Sequence, residues 1–122
     1  MKALVVDDSA VMRKILRGAL SQAGFSEIAQ ASDGREAVRA AKDVVYDLIL
    51  MDWNMPNMLG IDALKEIRAY GNKSPIIMVT TEAEKARVVE AIKEGANNYI
   101  IKPFTLEVIV QKIKQTMDKL AA

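Results

Sequence analysis

LILMDWNMPNMLG, residues 48–60, sets four consecutive apolar residues against a carboxylate. A run this short and apolar, followed by loop-forming Asn, Pro and Gly, has the pattern of a buried strand. It ends on Asp52, with a loop and not a helix directly behind it. A core strand that carries a carboxylate out of its end places it where open parallel sheets keep their functional crevices.

Working outward, four more strand-like runs recur between stretches of helical period: KALVVD (2–7), SEIAQA (26–31), PIIMVT (75–80) and NYII (98–101), with DLILM (47–51) between the second and third. Three are nearly continuous apolar runs, as expected of strands covered on both faces. The first helix is expected to be capped by Ser9, to share a face of Val11, Ile15 and Ala19, and to end near Gly24. The last carries Leu106, Ile109, Ile113, Met117 and Leu120 at helical spacing. Right-handed crossovers then give a (βα)5, doubly wound, parallel five-stranded sheet of flavodoxin-like order 2-1-3-4-5, in a single domain spanning residues 1–122.

Composition narrows the chemistry. Seventeen Lys and Arg against sixteen Asp and Glu leave a formal charge of +1, with no electrostatic footprint for nucleic acid or an anionic membrane. There is no cysteine and no histidine, which excludes disulfides, thiolate chemistry, histidine general bases and histidine metal ligands. The start, MKALVVDDS, is too brief for a signal sequence and no other apolar run approaches spanning length, so a cytoplasmic location is expected. Carboxylates, hydroxyls and lysines must carry whatever chemistry there is.

The expected strand ends supply Asp7 and Asp8, Asp52, Thr80 and Thr81, and Lys102. A lone aspartate after a strand commonly caps the next helix, and Asp33, ahead of GREAV, is read that way. Two adjacent aspartates exceed what one cap needs. Like charges about 4 Å apart cost roughly 4 kcal/mol at an effective dielectric near 20, so the cluster calls for compensation. Lys102 offsets one charge, and a hard divalent cation such as Mg2+ suits the oxygen ligands that remain. A carboxylate in that setting can act as nucleophile toward a phosphoryl group and hold it as an acyl phosphate.

VVDDS, MDWNMPNM, MVTTEA and IKPF, in this order and spacing, resemble receiver domains of two-component response regulators, and among them the single-domain chemotaxis regulators of the CheY type. The resemblance covers the whole chain. It implies that Asp52 is the phosphoacceptor; that Asp7, Asp8, Asp52 and the backbone carbonyl of Asn54 hold Mg2+; and that Thr80 and Lys102 are the switch hydroxyl and lysine. It further implies that Asn54 and Glu82 tune access of the hydrolytic water, that Tyr99 swings inward on activation, and that Lys102–Pro103 is cis. Trp53, beside the acid site, either reports binding through its fluorescence or simply covers the loop as a partly exposed aromatic.

The same resemblance implies a histidine kinase of the CheA type as donor, with acetyl phosphate a small-molecule alternative, and an output face on the fourth helix, fifth strand and fifth helix that includes Ala83, Lys85, Val88, Tyr99 and Lys112. Its target would be a flagellar motor switch protein, with a dedicated phosphatase as a further partner and the protein itself a monomer and not an enzyme. Leu59–Gly60 departs from the family's usual Asp-Gly, so the third helix is expected to lose a cap, with Asp62 complementing its start. Three alternatives share the residues: a phosphorelay receiver, a receiver from a larger transcriptional regulator, and a Mg2+-dependent phosphatase working through an aspartyl phosphate.

Overall fold

The computed structural model describes residues 1–81 and 85–121, without the Lys85 side chain. Strands and helices alternate as β1 (Lys2–Val6), α1 (Ala10–Gln22), β2 (Glu27–Ala31), α2 (Gly34–Asp43), β3 (Leu48–Asp52), α3 (Gly60–Ala69), β4 (Ile76–Thr81), α4 (Lys85–Lys93), β5 (Asn98–Lys102) and α5 (Leu106–Ala121). All neighbouring strands are parallel, in the order β2-β1-β3-β4-β5. The expected doubly wound sheet is therefore present.

Because side chains alternate along a strand, each central strand feeds two cores. Ala3, Val5, Leu48, Leu50, Ile77 and Ile100 face α1 and α5, while Leu4, Val6, Ile49, Met51, Ile76 and Met78 face α2, α3 and α4. Each fully buried aliphatic side chain contributes about 1.5–3 kcal/mol relative to exposure. β2 lies at an edge and buries only Ala31 fully, which is why its sequence lacks a continuous apolar run.

Several local expectations hold. Ser9 accepts from Met12 N–H at the start of α1, Asp33 accepts from Glu36 N–H at the start of α2, and Gly24 adopts φ +99° just past α1. Leu59 provides no side-chain cap to α3, whose first turn carries Asp62, and the Lys102–Pro103 peptide is cis.

Two helix faces differ from expectation. On α1 the buried residues are Leu16, Ala19 and Leu20, with Met12 packed against them, whereas Val11 is 71% and Ile15 41% exposed. The stripe 12, 16, 19, 20 is equally helical in spacing and lies about 100° away from Val11 and Ile15, so the helix buries its bulkier leucines. On α5, Ile109 and Ile113 are buried as expected, but Leu106 and Leu120 are exposed and Thr116 is buried in their row. Thr116 can be there because its hydroxyl donates to Lys112 O and accepts from Asn98 Nδ2.

Candidate functional site

The two rows of side chains decide what meets at the carboxyl end of the sheet. Past Val5 in the row facing α1 and α5 comes Asp7; past Leu50 comes Asp52; past Ile100 comes Lys102. The adjoining strands β1 and β3 thus extend this apolar row with two carboxylates, and β5, on the far side of β4, extends it with an ammonium. Lys102 Nζ lies 3.1 Å from Asp52 Oδ1 and 3.6 Å from Asp7 Oδ2. Thr80 instead continues the Ile76–Met78 row, which faces α2–α4.

Backbone N–H groups fix the carboxylates. Trp53 N–H donates both to Asp52 Oδ1 and to Val79 O, each at 3.0 Å, so the residue after β3 locks the aspartate's orientation while continuing the ladder. Ser9 N–H donates to Asp7 Oδ1 at 2.9 Å, and Arg13 donates through a guanidinium nitrogen to Asp7 O at 2.7 Å and through Nε to Gln30. Sequence reading missed Arg13. Its one signal was position, a helical turn beyond Asp8 on the helix that leaves the acid pair.

Carboxylate oxygens of Asp7, Asp8 and Asp52 lie within 4.8 Å of one another, with Asp7 and Asp52 buried and Asp8 exposed. Burial, and then the neighbouring Asp7 charge, pushes the Asp52 carboxyl above its ordinary pKa, against the pull of Lys102. Asp7 is also raised, again chiefly by burial, with Ser9 N–H and Lys102 opposing. Asp7 Oδ2 is buried with no hydrogen bond among the described residues, since Lys102 at 3.6 Å is an ion pair too long for one. An unsatisfied buried carboxylate oxygen in a group of three is a donor set that suits a hard divalent cation. The Thr80 hydroxyl is likewise buried without a hydrogen-bond partner among the described residues.

Asn54 opens the loop after β3 with its side chain exposed. Trp53 corrects the reading of a partly exposed cover: it is 2% exposed, belongs to the core beneath α2–α4, and has the Arg87 guanidinium 5.6 Å above its ring. The two-residue step from Met51 puts the ring on the inner row while its N–H serves Asp52. Tyr99 is half-buried with Lys112 Nζ 4.8 Å over its ring, and Val88, Val89, Tyr99 and Ile101 line a cavity of about 260 Å³. Glu82, Ala83 and the Lys85 side chain lie outside the described residues.

A doubly wound sheet whose strand ends gather carboxylates and a lysine defines a class of α/β protein working at the crevice where strand order reverses. The chain belongs to the response regulator receiver domain family, which it matches over residues 3–114. It is 40% identical over 121 residues to the chemotaxis protein CheY of Pseudomonas aeruginosa, covering 98% of each chain. It is 44% identical over 117 residues to CheY1 of Helicobacter pylori, covering 93% of this chain and 94% of that one. Among solved structures it is similar, at a TM-score of 0.83 and 31% identity over 96% of this chain and 97% of the other, to the receiver domain of a sensor histidine kinase from Pseudomonas aeruginosa with a magnesium ion coordinated in its active-site cleft. Receiver domains are two-component signalling proteins: histidine kinases phosphorylate them, and they act on downstream targets as switches and not as conventional enzymes.

Proposed function

We propose that the chain, as one receiver domain over residues 1–122, accepts a phosphoryl group on Asp52 and signals through the α4–β5–α5 face in chemotaxis. The observation that carries this is the convergence of three carboxylates within 4.8 Å of one another, two of them paired with Lys102 Nζ, which lies 3.1 Å from Asp52 and 3.6 Å from Asp7. An Asp52 oxygen attacks phosphorus in a phosphohistidine; the P–O bond forms as the P–N bond breaks, and the imidazole leaves with a proton. Water later splits the acyl phosphate into carboxylate and inorganic phosphate, with Asn54 and Glu82 governing its approach.

Asp7, Asp8, Asp52 and the Asn54 carbonyl would hold Mg2+, which when bound supplies positive charge against the phosphoryl oxygens. Lys102 supplies the protein's own charge from 3.1 Å. Among the described residues Thr80 has no hydroxyl partner to give up before donating to a phosphoryl oxygen. Because Thr80 continues the row facing α2–α4, that donation pulls on the output side, where Tyr99 follows beside Val88 and Lys112; Ala83 and Lys85 are assigned to the same output by the family resemblance alone. Moving such an equilibrium from 1:99 to 99:1 takes about 5.5 kcal/mol, a load shared by the metal, Lys102 and Thr80.

The similarity to chemotaxis CheY proteins supports a CheA-type kinase as donor, a flagellar motor switch protein as target and a cytoplasmic monomer, with a dedicated phosphatase to reset it. Intact mass under acid quench tests the core of this: acetyl phosphate with Mg2+ gives a single phosphoryl adduct, and omission of Mg2+ suppresses it. Release of many phosphates per chain from an external phosphomonoester held in excess would favour a phosphatase. Lys102→Ala is expected to form the adduct more slowly and to leave the amide spectrum of α4 and β5 unshifted. Normal partner binding by the phosphorylated variant would contradict the role given to the lysine.

A further inference from the structure

The six residues 54–59 form a loop that Gly60 N–H closes by donating to Trp53 O at 2.8 Å. Its tip is held from outside by the start of α2. Asn57 Nδ2 donates to Asp33 Oδ2 at 2.7 Å, while Asp33 Oδ1 accepts from Glu36 N–H at 2.9 Å. The N-cap of α2 therefore has two tasks, one for each carboxylate oxygen.

Asn57 is the one residue other than glycine with positive φ among the described residues, at 69°, and across it Met58 N–H donates to Pro56 O at 2.8 Å. This is a left-handed γ-turn, a strained conformation that persists where surroundings hold it. The hold is charge-assisted through Asp33, and steric through Gly34, where an added Cβ would lie 2.7 Å from Met58 O.

We infer that Asp33 and Asn57 are positioning residues for the acid site: their latch fixes the loop tip and thereby where the Asn54 backbone carbonyl stands relative to Asp52. The inference rests on the reading of this crevice as a Mg2+ and phosphoryl site. Asn54 lies between two fixed points, the Trp53 N–H that binds Asp52 and the tip at Asn57. Releasing the tip leaves Asp7, Asp8, Asp52 and Lys102 in place and frees only the loop's contribution. Asp33 and Asn57 touch no reacting atom. They act through Asn54.

The test uses the full chain with Asn57→Gly, Asp33→Ser and the double variant. Glycine keeps the positive φ, and serine keeps a helix cap but is too short to reach Asn57. Mg2+ is titrated calorimetrically, and the lifetime of the adduct formed with acetyl phosphate is followed by intact mass. Each single variant is expected to bind Mg2+ about tenfold more weakly, as loss of an outer contact to a metal site does. The double variant should be no weaker than either single one, and adduct lifetime should change with affinity. A cap defect alone would appear in Asp33→Ser and not in Asn57→Gly, and would overturn the latch. Unchanged affinity in Asn57→Gly, or additive losses, would overturn it too. A wild type that neither binds Mg2+ nor forms an adduct would overturn the underlying reading, and the latch with it.

Discussion

Asp52→Asn is expected to abolish the acetyl phosphate adduct altogether while leaving far-ultraviolet circular dichroism unchanged, and to make the metal-free protein more stable. Loss of the adduct follows from chemistry: an amide oxygen has no charge to drive attack on phosphorus, and Asp7 and Asp8 are expected to serve the metal. The stability gain follows from electrostatics. Asp7 and Asp52 share one ammonium with the Asp8 carboxylate close by, and burial raises the pKa of both Asp52 and Asp7. The folded protein therefore binds protons more tightly than the unfolded chain from the ordinary value of 3.8 up to the raised values. Across that window stability falls as pH rises, and above it the full cost is present. At neutral pH the isosteric amide removes one buried charge and leaves Lys102 paired with Asp7, which is expected to raise stability.

Urea unfolding at pH 7 and at pH 4 separates the contributions. The gap between variant and wild type should be wider at pH 7 than at pH 4, because the raised Asp52 carboxyl takes up its proton more readily in the fold as pH falls. Mg2+ should stabilise wild type by mass action and the variant less, closing the gap from the other side. A variant that unfolds, or one less stable than wild type without metal, would mean that Asp52 holds the fold through the Trp53 N–H and Lys102 contacts more than its charge strains it.

What could be read from residues alone follows from the range of the interactions. β1, β3 and β4 are buried on both faces, so their apolar runs mark them without help from neighbours. Strand order then brings Asp7 and Asp52 together on adjoining strands, and Lys102 reaches them from the end of β5 across β4, each being the next residue outward in its row. The face of α1 was less legible, since Val11 and Ile15 fit helical spacing as well as Leu16 and Leu20 do, and only the packed sheet selects one stripe. Trp53 was misjudged as a cover because nothing in MDWNM says that a residue past a strand end still points into a core. The Asp33–Asn57 bond was invisible: each residue has a sufficient local reason to be where it is, a cap and a turn, and the contact spans 24 positions.

Gly60 carries the second large expectation, that Gly60→Ala destabilises the protein by about 3 kcal/mol or more and weakens Mg2+ binding in whatever fraction still folds. The loss of a cap at Leu59 draws the eye to the wrong residue, since a missing N-cap costs only about 1 kcal/mol. Gly60 N–H donates to Trp53 O at 2.8 Å, which draws the start of α3 against the end of β3. A Cβ there would fall 2.0 Å from Asp52 O and 3.1 Å from Trp53 Cα. Both are backbone atoms, so no rotamer change relieves the overlap. The chain must separate α3 from β3, break the Gly60–Trp53 bond, or tilt the Asp52 peptide, and each route shifts the carboxylate relative to Asp7 and Lys102. Leu59→Asp is the matched comparison: it supplies the cap without touching the close approach, and should stabilise by about 1 kcal/mol with Mg2+ affinity retained. Thermal unfolding and Mg2+ titration of both variants distinguish the two causes. Gly60→Ala matching wild type in both would show that α3 can move away from β3 at little cost, and that the acid site does not depend on that contact.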